Sequence, residues 1–210
     1  MIEWSVALVF AGACLVLTLT PGPDMILIAS RSLSQSKASG FCTLAGIQVG
    51  TYCHALAAAL GLSQLLVSAP AAYDAVRFLG AAYLAFLAWK AFRSPGAALE
   101  ARQGLASDSM WRIFRQGLTT NLLNPKMALF VLALFPQFVR PSSGSVVAQM
   151  LVLATILNAM GLLVNGAVIV LVSKLGRRLA TSAQTGERLN RVLGTVYFGL
   201  ACRLAWPSGR

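Results

Sequence analysis

Between Ala38 and Tyr73 the chain carries no Asp, Glu, Lys or Arg, and the same holds from Trp4 to Pro23 and from Pro141 to Ser173. The hydrocarbon core of a bilayer is roughly 30 Å thick, so a helix rising about 1.5 Å per residue crosses it in about 20 apolar residues. Three further segments are apolar but less clean. Phe78 to Trp89 lies between Arg77 and Lys90, Gln116 to Val139 is interrupted only by Lys126, and Val192 to Cys202 lies between Arg191 and Arg203. Basic side chains at helix ends can carry their charge out to the interface, so all six segments read as spans. Their expected extents are residues 4–29, 39–68, 72–92, 111–138, 144–172 and 187–206.

Composition points the same way. Charged residues make up 11% of the chain and hydrophobic ones 57%, against about 25% charged in an ordinary soluble domain. Too few charges are present to clothe a surface in water, which excludes a soluble enzyme, a disordered chain, a coiled coil and a secreted disulfide scaffold. A cleaved signal peptide would need a basic start and a small-residue cleavage site; here Glu3 is the only early charge, and the apolar run leads into Pro21-Gly22-Pro23.

The net charge of +11 is placed by connection. Arg31 and Lys37 follow the first span. Lys90, Arg93, Arg102, Arg112 and Arg115 follow the third, and Lys174, Arg177, Arg178, Arg188 and Arg191 follow the fifth. The second connection holds Asp74 with Arg77, and the fourth only Arg140. The positive-inside rule then makes the first, third and fifth connections cytoplasmic and leaves both termini outside. The basic balance is a topology signal with some attraction to anionic lipid, not a nucleic-acid footprint. Cys14, Cys42, Cys53 and Cys202 are dispersed without a CxxC pair. They read as small apolar packing residues, and with one histidine in the chain no metal site or cofactor is expected.

Two short patterns recur in the same order. Arg77-Phe-Leu-Gly80-Ala-Ala-Tyr83 matches Arg191-Val-Leu-Gly194-Thr-Val-Tyr197, and Pro23-Asp24-Met25-Ile-Leu27 matches Pro125-Lys126-Met127-Ala-Leu129. Halves with an odd number of spans enter the membrane in opposite senses. The expected fold is therefore an all-α polytopic membrane protein of six transmembrane helices, arranged as two inverted three-helix repeats. A single transmembrane domain fills residues 1–210, with repeat one over 1–93, a cytoplasmic linker rich in Ala, Gly and Ser over 94–110, and repeat two over 111–210.

Spans one and four are broken at matched places, Thr20-Pro21-Gly22-Pro23-Asp24 and Asn121-Leu-Leu-Asn124-Pro125-Lys126. Proline removes an N–H and keeps the residue before it out of helical angles. Bare backbone cannot face lipid, so each break must face protein or a watery cavity. A simple kink is the plainer reading of one break; two matched breaks, each followed by a charge, point to a site. Asp24 would bind a proton or an ammonium group, or merely cap the half-helix after Pro23. Lys126 would bind a carboxylate, pair with Asp24, or reach for the interface. Gly46 and Gly50 permit close helix contact on one face of the second span. His54 shares that face, as proton carrier or bundle hydrogen-bonder, and Gln48 on the same span joins the candidates. In the fifth span Asn158 and Asn165 share a face with Gly161 between them, to bind substrate or to join helices.

These residues resemble the lysine/threonine exporter (LysE/RhtB) family. The resemblance rests on Thr20-Pro-Gly-Pro-Asp-Met25, Ser30-Arg-Ser32, the Gly46, Gly50 and His54 helix, Arg115-Gln-Gly-Leu118 leading into Asn121-Leu-Leu-Asn-Pro-Lys126, and Pro136-Gln-Phe138, and it covers nearly the whole chain. It implies efflux of a small amino acid across the bacterial cytoplasmic membrane, driven by an ion or proton gradient. It also puts the family's motif positions at Pro21, Gly22, Pro23, Asp24, Asn124, Pro125 and Lys126. The few net charges of the site suit a neutral amino acid. Partners are then the amino acid and membrane lipid, with a homo-oligomer compatible and no nucleic acid. Other functions compete: a metal-ion exporter, which wants ligand clusters; a cysteine-based membrane electron carrier on a related fold, which wants a cysteine near each break; and a non-transporting scaffold.

Overall fold

The computed structural model describes residues 3–68 and 108–175, together with separate helical positions between 78 and 93 and between 195 and 202. The third and sixth expected spans, with the Arg-x-Leu-Gly-x-x-Tyr pattern they carry, and most of the linker fall largely outside the described residues. Among those described, all regular structure is helical.

The first span is two helices. α1 runs Trp4–Leu19, the chain breaks at Thr20 to Gly22, and α2 runs Pro23–Ser34. The axes bend by 58° at the break. α2 is longer than the sequence suggested, and a turn at Gln35 and Ser36 is all that separates it from α3, Lys37–Ser68. Ser109 caps α4, Met110–Leu122, accepting a 3.4 Å hydrogen bond from the Arg112 N–H. After Leu123 and Asn124 comes α5, Pro125–Leu134, continued by a 3-10 turn at Phe135–Phe138 where Pro136 ends the α ladder. This second break bends by 54°. A further short turn at Pro141–Ser143 and Gly144, at a φ of 121° open only to glycine, lead into α6, Val146–Leu175. Gln149 clamps that loop: its amide accepts from the Arg140 N–H at 3.0 Å and donates to the Arg140 carbonyl at 2.9 Å.

Among the described residues two helices, α3 and α6, are long and apolar enough to cross a membrane, and each bent pair adds one crossing if taken as a single span. Leu60, Leu123 and Leu163 are each more than 60% exposed. Such outward leucines are stable against lipid tails, where no hydrophobic penalty applies. The chain is a multi-pass membrane protein.

The two broken spans run antiparallel. At one end Glu3, before α1, meets Arg140, after the 3-10 turn, at 2.6 Å, and Phe10 packs edge-on against Phe135 and Phe138 at ring distances of 5.2 and 5.0 Å. At the other end Arg31, in the last turn of α2, meets Asp108, just before α4, at 2.6 Å. The start of each span therefore lies beside the end of the other. α3 packs closely along α4. A Cβ on Gly46 would collide with the Phe114 carbonyl, and one on Gly117 with the Thr43 carbonyl. Both glycines are there because the backbones touch.

Candidate functional site

Each break puts a proline at the first position of the following half-helix, where a missing N–H leaves no bond unmade. Gly22 is the N-cap of α2 and has no side chain to close it, so Asp24 stands in the first turn and is not the cap. Asn124 is the N-cap of α5, its Oδ1 accepting from the Lys126 N–H at 3.0 Å. A carboxylate in a helix's first turn sits well with the positive end of the dipole, and an ammonium there does not.

The side chains resolve that mismatch by crossing between the spans. Lys126 extends away from its own helix, and its Nζ donates at 2.7 Å to the carbonyl of Thr20, the C-cap of α1. There the unsatisfied carbonyls of a helix end favour a cation. In return Asn121 of α4 donates from Nδ2 to Asp24 Oδ2 at 2.8 Å. Asp24 and Lys126 are not in direct contact; each is bonded to a residue of the opposite broken span. Asp24 Oδ1 is buried with no hydrogen-bond partner. His54 Nε2 lies 3.1 Å from the Asn121 carbonyl, and a Cβ on Gly50 would strike the Asn121 side chain. Gly46, Gly50 and His54 therefore all turn toward α4, as their spacing required.

A cavity of about 50 Å³ lies between the breaks. A water needs about 10–15 Å³ of such space, so the cavity has room for a few waters in this conformation. Gly22, Asp24, Asn124 and Lys126 line it from the breaks, Gln48 from α3, and Asn158 and Asn165 from α6. Gln48 and Asn158 hold α3 and α6 together: each side-chain amide donates to the other's backbone carbonyl at 3.1 Å. Asn165 is free of that duty, and its Oδ1 is buried without a partner. Asn121 and His54 stand behind the cavity wall, reaching it through Asp24. Pro21, Pro23 and Pro125 shape the breaks without lining the space. Of the twelve candidate residues, the structure thus brings seven to the cavity itself.

Thr18, Met25, Thr51 and Met127 also line the cavity and were not foreseen. Thr51 follows Gln48 by one helical turn, and that spacing was the available signal. Arg31 was read as a loop charge. Instead it is 1% exposed, bonded to Asp108, to Gln35 at 3.0 Å and closely to Gln116. Nothing local in the sequence joins residues so far apart.

The geometry offers acceptors for a positive group at Asp24 and Asn165. The Lys126 ammonium and the uncapped N-terminus of α2 offer charge and N–H donors for a negative group. The family profile of the LysE type translocator matches residues 15–208. An uncharacterized membrane protein of Vibrio cholerae is 30% identical, over 90% of this chain and 91% of its own. A homoserine/homoserine lactone efflux protein of Salmonella typhi is 27% identical over 97% of this chain and 96% of its own, and a leucine efflux protein of Klebsiella pneumoniae is 26% identical over 89% and 88%. No solved structure matches the chain. With the broken spans, their crossed polar ties and a profile covering nearly every residue in agreement, this protein belongs to the LysE type translocator family.

Proposed function

We propose that the protein is a secondary active exporter of a small, neutral amino acid across the bacterial cytoplasmic membrane, coupled to protons and working by alternating access of two inverted three-helix halves. One observation carries the reading: two antiparallel spans, bent by 58° and 54°, meet at their breaks around a cavity that bears opposite charges. Discontinuous helices meeting at mid-span are how many secondary transporters hold substrate. Relatives named for efflux of homoserine and leucine support both the amino-acid class and its neutrality.

In this reading Asp24 and Asn165 take the substrate's ammonium group, and Asp24 exchanges it for a proton. Lys126 and the N-terminus of α2 after Gly22, which has no side-chain cap, take the carboxylate. Asn121 orients Asp24, His54 holds Asn121, and Gln48 with Asn158 keeps α3 and α6 in register. Pro21, Pro23 and Pro125 keep the breaks open. The Arg31 end faces the cytoplasm, and the Glu3–Arg140 end faces outward. In the lipid-filled plane a second copy of the chain is an acceptable neighbour.

Isotope efflux from loaded vesicles against a panel of amino acids tests the function. Release of a neutral amino acid that accelerates with an imposed proton gradient is expected; no release of any amino acid would end the reading. Sidedness is tested separately in a cysteine-free background. Ser143→Cys should react with an impermeant maleimide in intact cells and Lys37→Cys should not; the opposite pattern would invert the topology.

A further inference from the structure

The most deeply buried charge in the described residues lies away from the cavity. Arg31 is 1% exposed, and its guanidinium is held by Gln35 of its own helix, by Asp108 just before α4 and by Gln116 midway along α4. Asp108 is also clamped from outside by Arg112 at 3.2 Å. A buried arginine is stable only while its partners surround it, because separating the pair strands a charge out of water.

Its position connects it to transport. α2 carries Asp24 in its first turn and Arg31 in its last, about 10 Å along one short helix. Both ends are tied to the same neighbour: Asp24 to Asn121 near the end of α4, Arg31 to Gln116 in its middle and to Asp108 just before it. The twelve-residue α2 joins the two ties directly, which gives a change in what Asp24 holds a short path to Arg31. The tie at the opposite end of the broken spans, Glu3–Arg140, is 60% exposed on both partners and offers no such latch. We infer that Arg31, Asp108 and Gln116 form the gate at the end of the molecule marked by the α2–α3 turn. It is shut in this conformation and is released through α2 when the group bound at Asp24 changes. This inference rests on the exporter reading for its purpose, but its geometry is testable without transport.

The test places a cysteine at Thr51, which is 2% exposed and lines the cavity, in an otherwise cysteine-free protein. Labelling by an impermeant maleimide is timed from each face, in right-side-out and inside-out vesicles. Asp108→Asn removes the charge that binds both Arg31 and Arg112 and should speed labelling from the α2–α3 face about tenfold. Labelling from the other face should slow, because the two open states compete for one population. Gln116→Leu should do the same more weakly. The exchanged pair Arg31→Glu with Asp108→Arg should return both rates toward the parent, which a merely misfolded protein would not do. Rates unchanged in Asp108→Asn and Gln116→Leu, or raised equally from both faces, would overturn the gate. Gated labelling in a protein that exports no amino acid would instead overturn the exporter reading and leave the gate standing.

Discussion

In the first break the N-cap of the second half-helix is Gly22, which offers no side chain, and the charge that follows is an Asp that suits the helix dipole. In the second break the N-cap is Asn124, which closes its own helix, and the charge that follows is a Lys that does not suit it. The difference decides where each charge goes. Asp24 stays at its helix end with one oxygen bonded to Asn121 and the other without a partner. Lys126 leaves its helix end and spends its ammonium on the Thr20 carbonyl. Two breaks built on one pattern thus divide the labour: the first holds an incompletely satisfied acceptor, and the second supplies the cation that steadies the first.

If that division is right, the largest effect comes from the first break. Asp24→Asn can keep the hydrogen bond from Asn121 Nδ2 through its own Oδ1, so the protein should reach the membrane at parent levels while gradient-driven efflux is abolished. Parent efflux in that variant would remove Asp24 from the mechanism. Lys126→Met comes next. It leaves the Thr20 carbonyl short of a partner, a loss of about 1–3 kcal/mol where the carbonyl is buried. It should lower detergent-solubilised thermal stability and slow efflux; unaltered stability would mean that the crossed tie is idle.

The wiring itself can be checked by double-mutant cycles on stability. Asp24 and Asn121 are in contact and should couple by about 0.5–3 kcal/mol, whereas Asp24 and Lys126 are not and should couple less. Stronger coupling between the two charges than between Asp24 and Asn121 would mean a direct pair and not crossed ties.

The smallest effects test the caps. Asn124→Ala should cost about 1 kcal/mol of stability, and Asn124→Gly, which makes the second break resemble the first, only a few tenths. The converse, Gly22→Asn, puts a Cβ at ordinary contact distances of 3.4–3.5 Å from Lys126 and should be tolerated. A large loss there would show that Gly22 is needed for close approach and not for its missing cap.

Much of this architecture could be read before any coordinates. Pro21, Pro23 and Pro125 forced the breaks because proline's lost N–H is a local fact. Gly46, Gly50 and His54 declared a shared face through helical spacing, and the face is the one that packs on α4. The first span's true end was not legible. Arg31 and Ser30 look like loop residues by polarity, and only a partner 77 residues distant makes the arginine a buried helical residue. For the same reason the crossed bonds could not be foreseen: the sequence placed Asp24 and Lys126 at equivalent positions, with a mutual pair only one of the alternatives it left open. The dipole of each half-helix, which treats the two signs oppositely, sends them to different partners. Asn158 and Asn165 illustrate the remaining ambiguity. Spacing put them on one face, but only the bonding of each separates helix joining, for Asn158, from a buried acceptor left without a partner, for Asn165.

The central claim is that the space between the crossed breaks is where the amino acid sits. Thr18 lines that space one turn before Gly22 and donates only to its own helix, at the Leu15 carbonyl. In purified, cysteine-free protein carrying Thr18→Cys, the rate of maleimide labelling should fall as the exported amino acid is added. It should stay flat with an amino acid that is not exported, and stay flat with either in Thr18→Cys combined with Asp24→Asn. A labelling rate indifferent to saturating substrate, in a Thr18→Cys protein that still exports it, would place the substrate elsewhere and contradict the account.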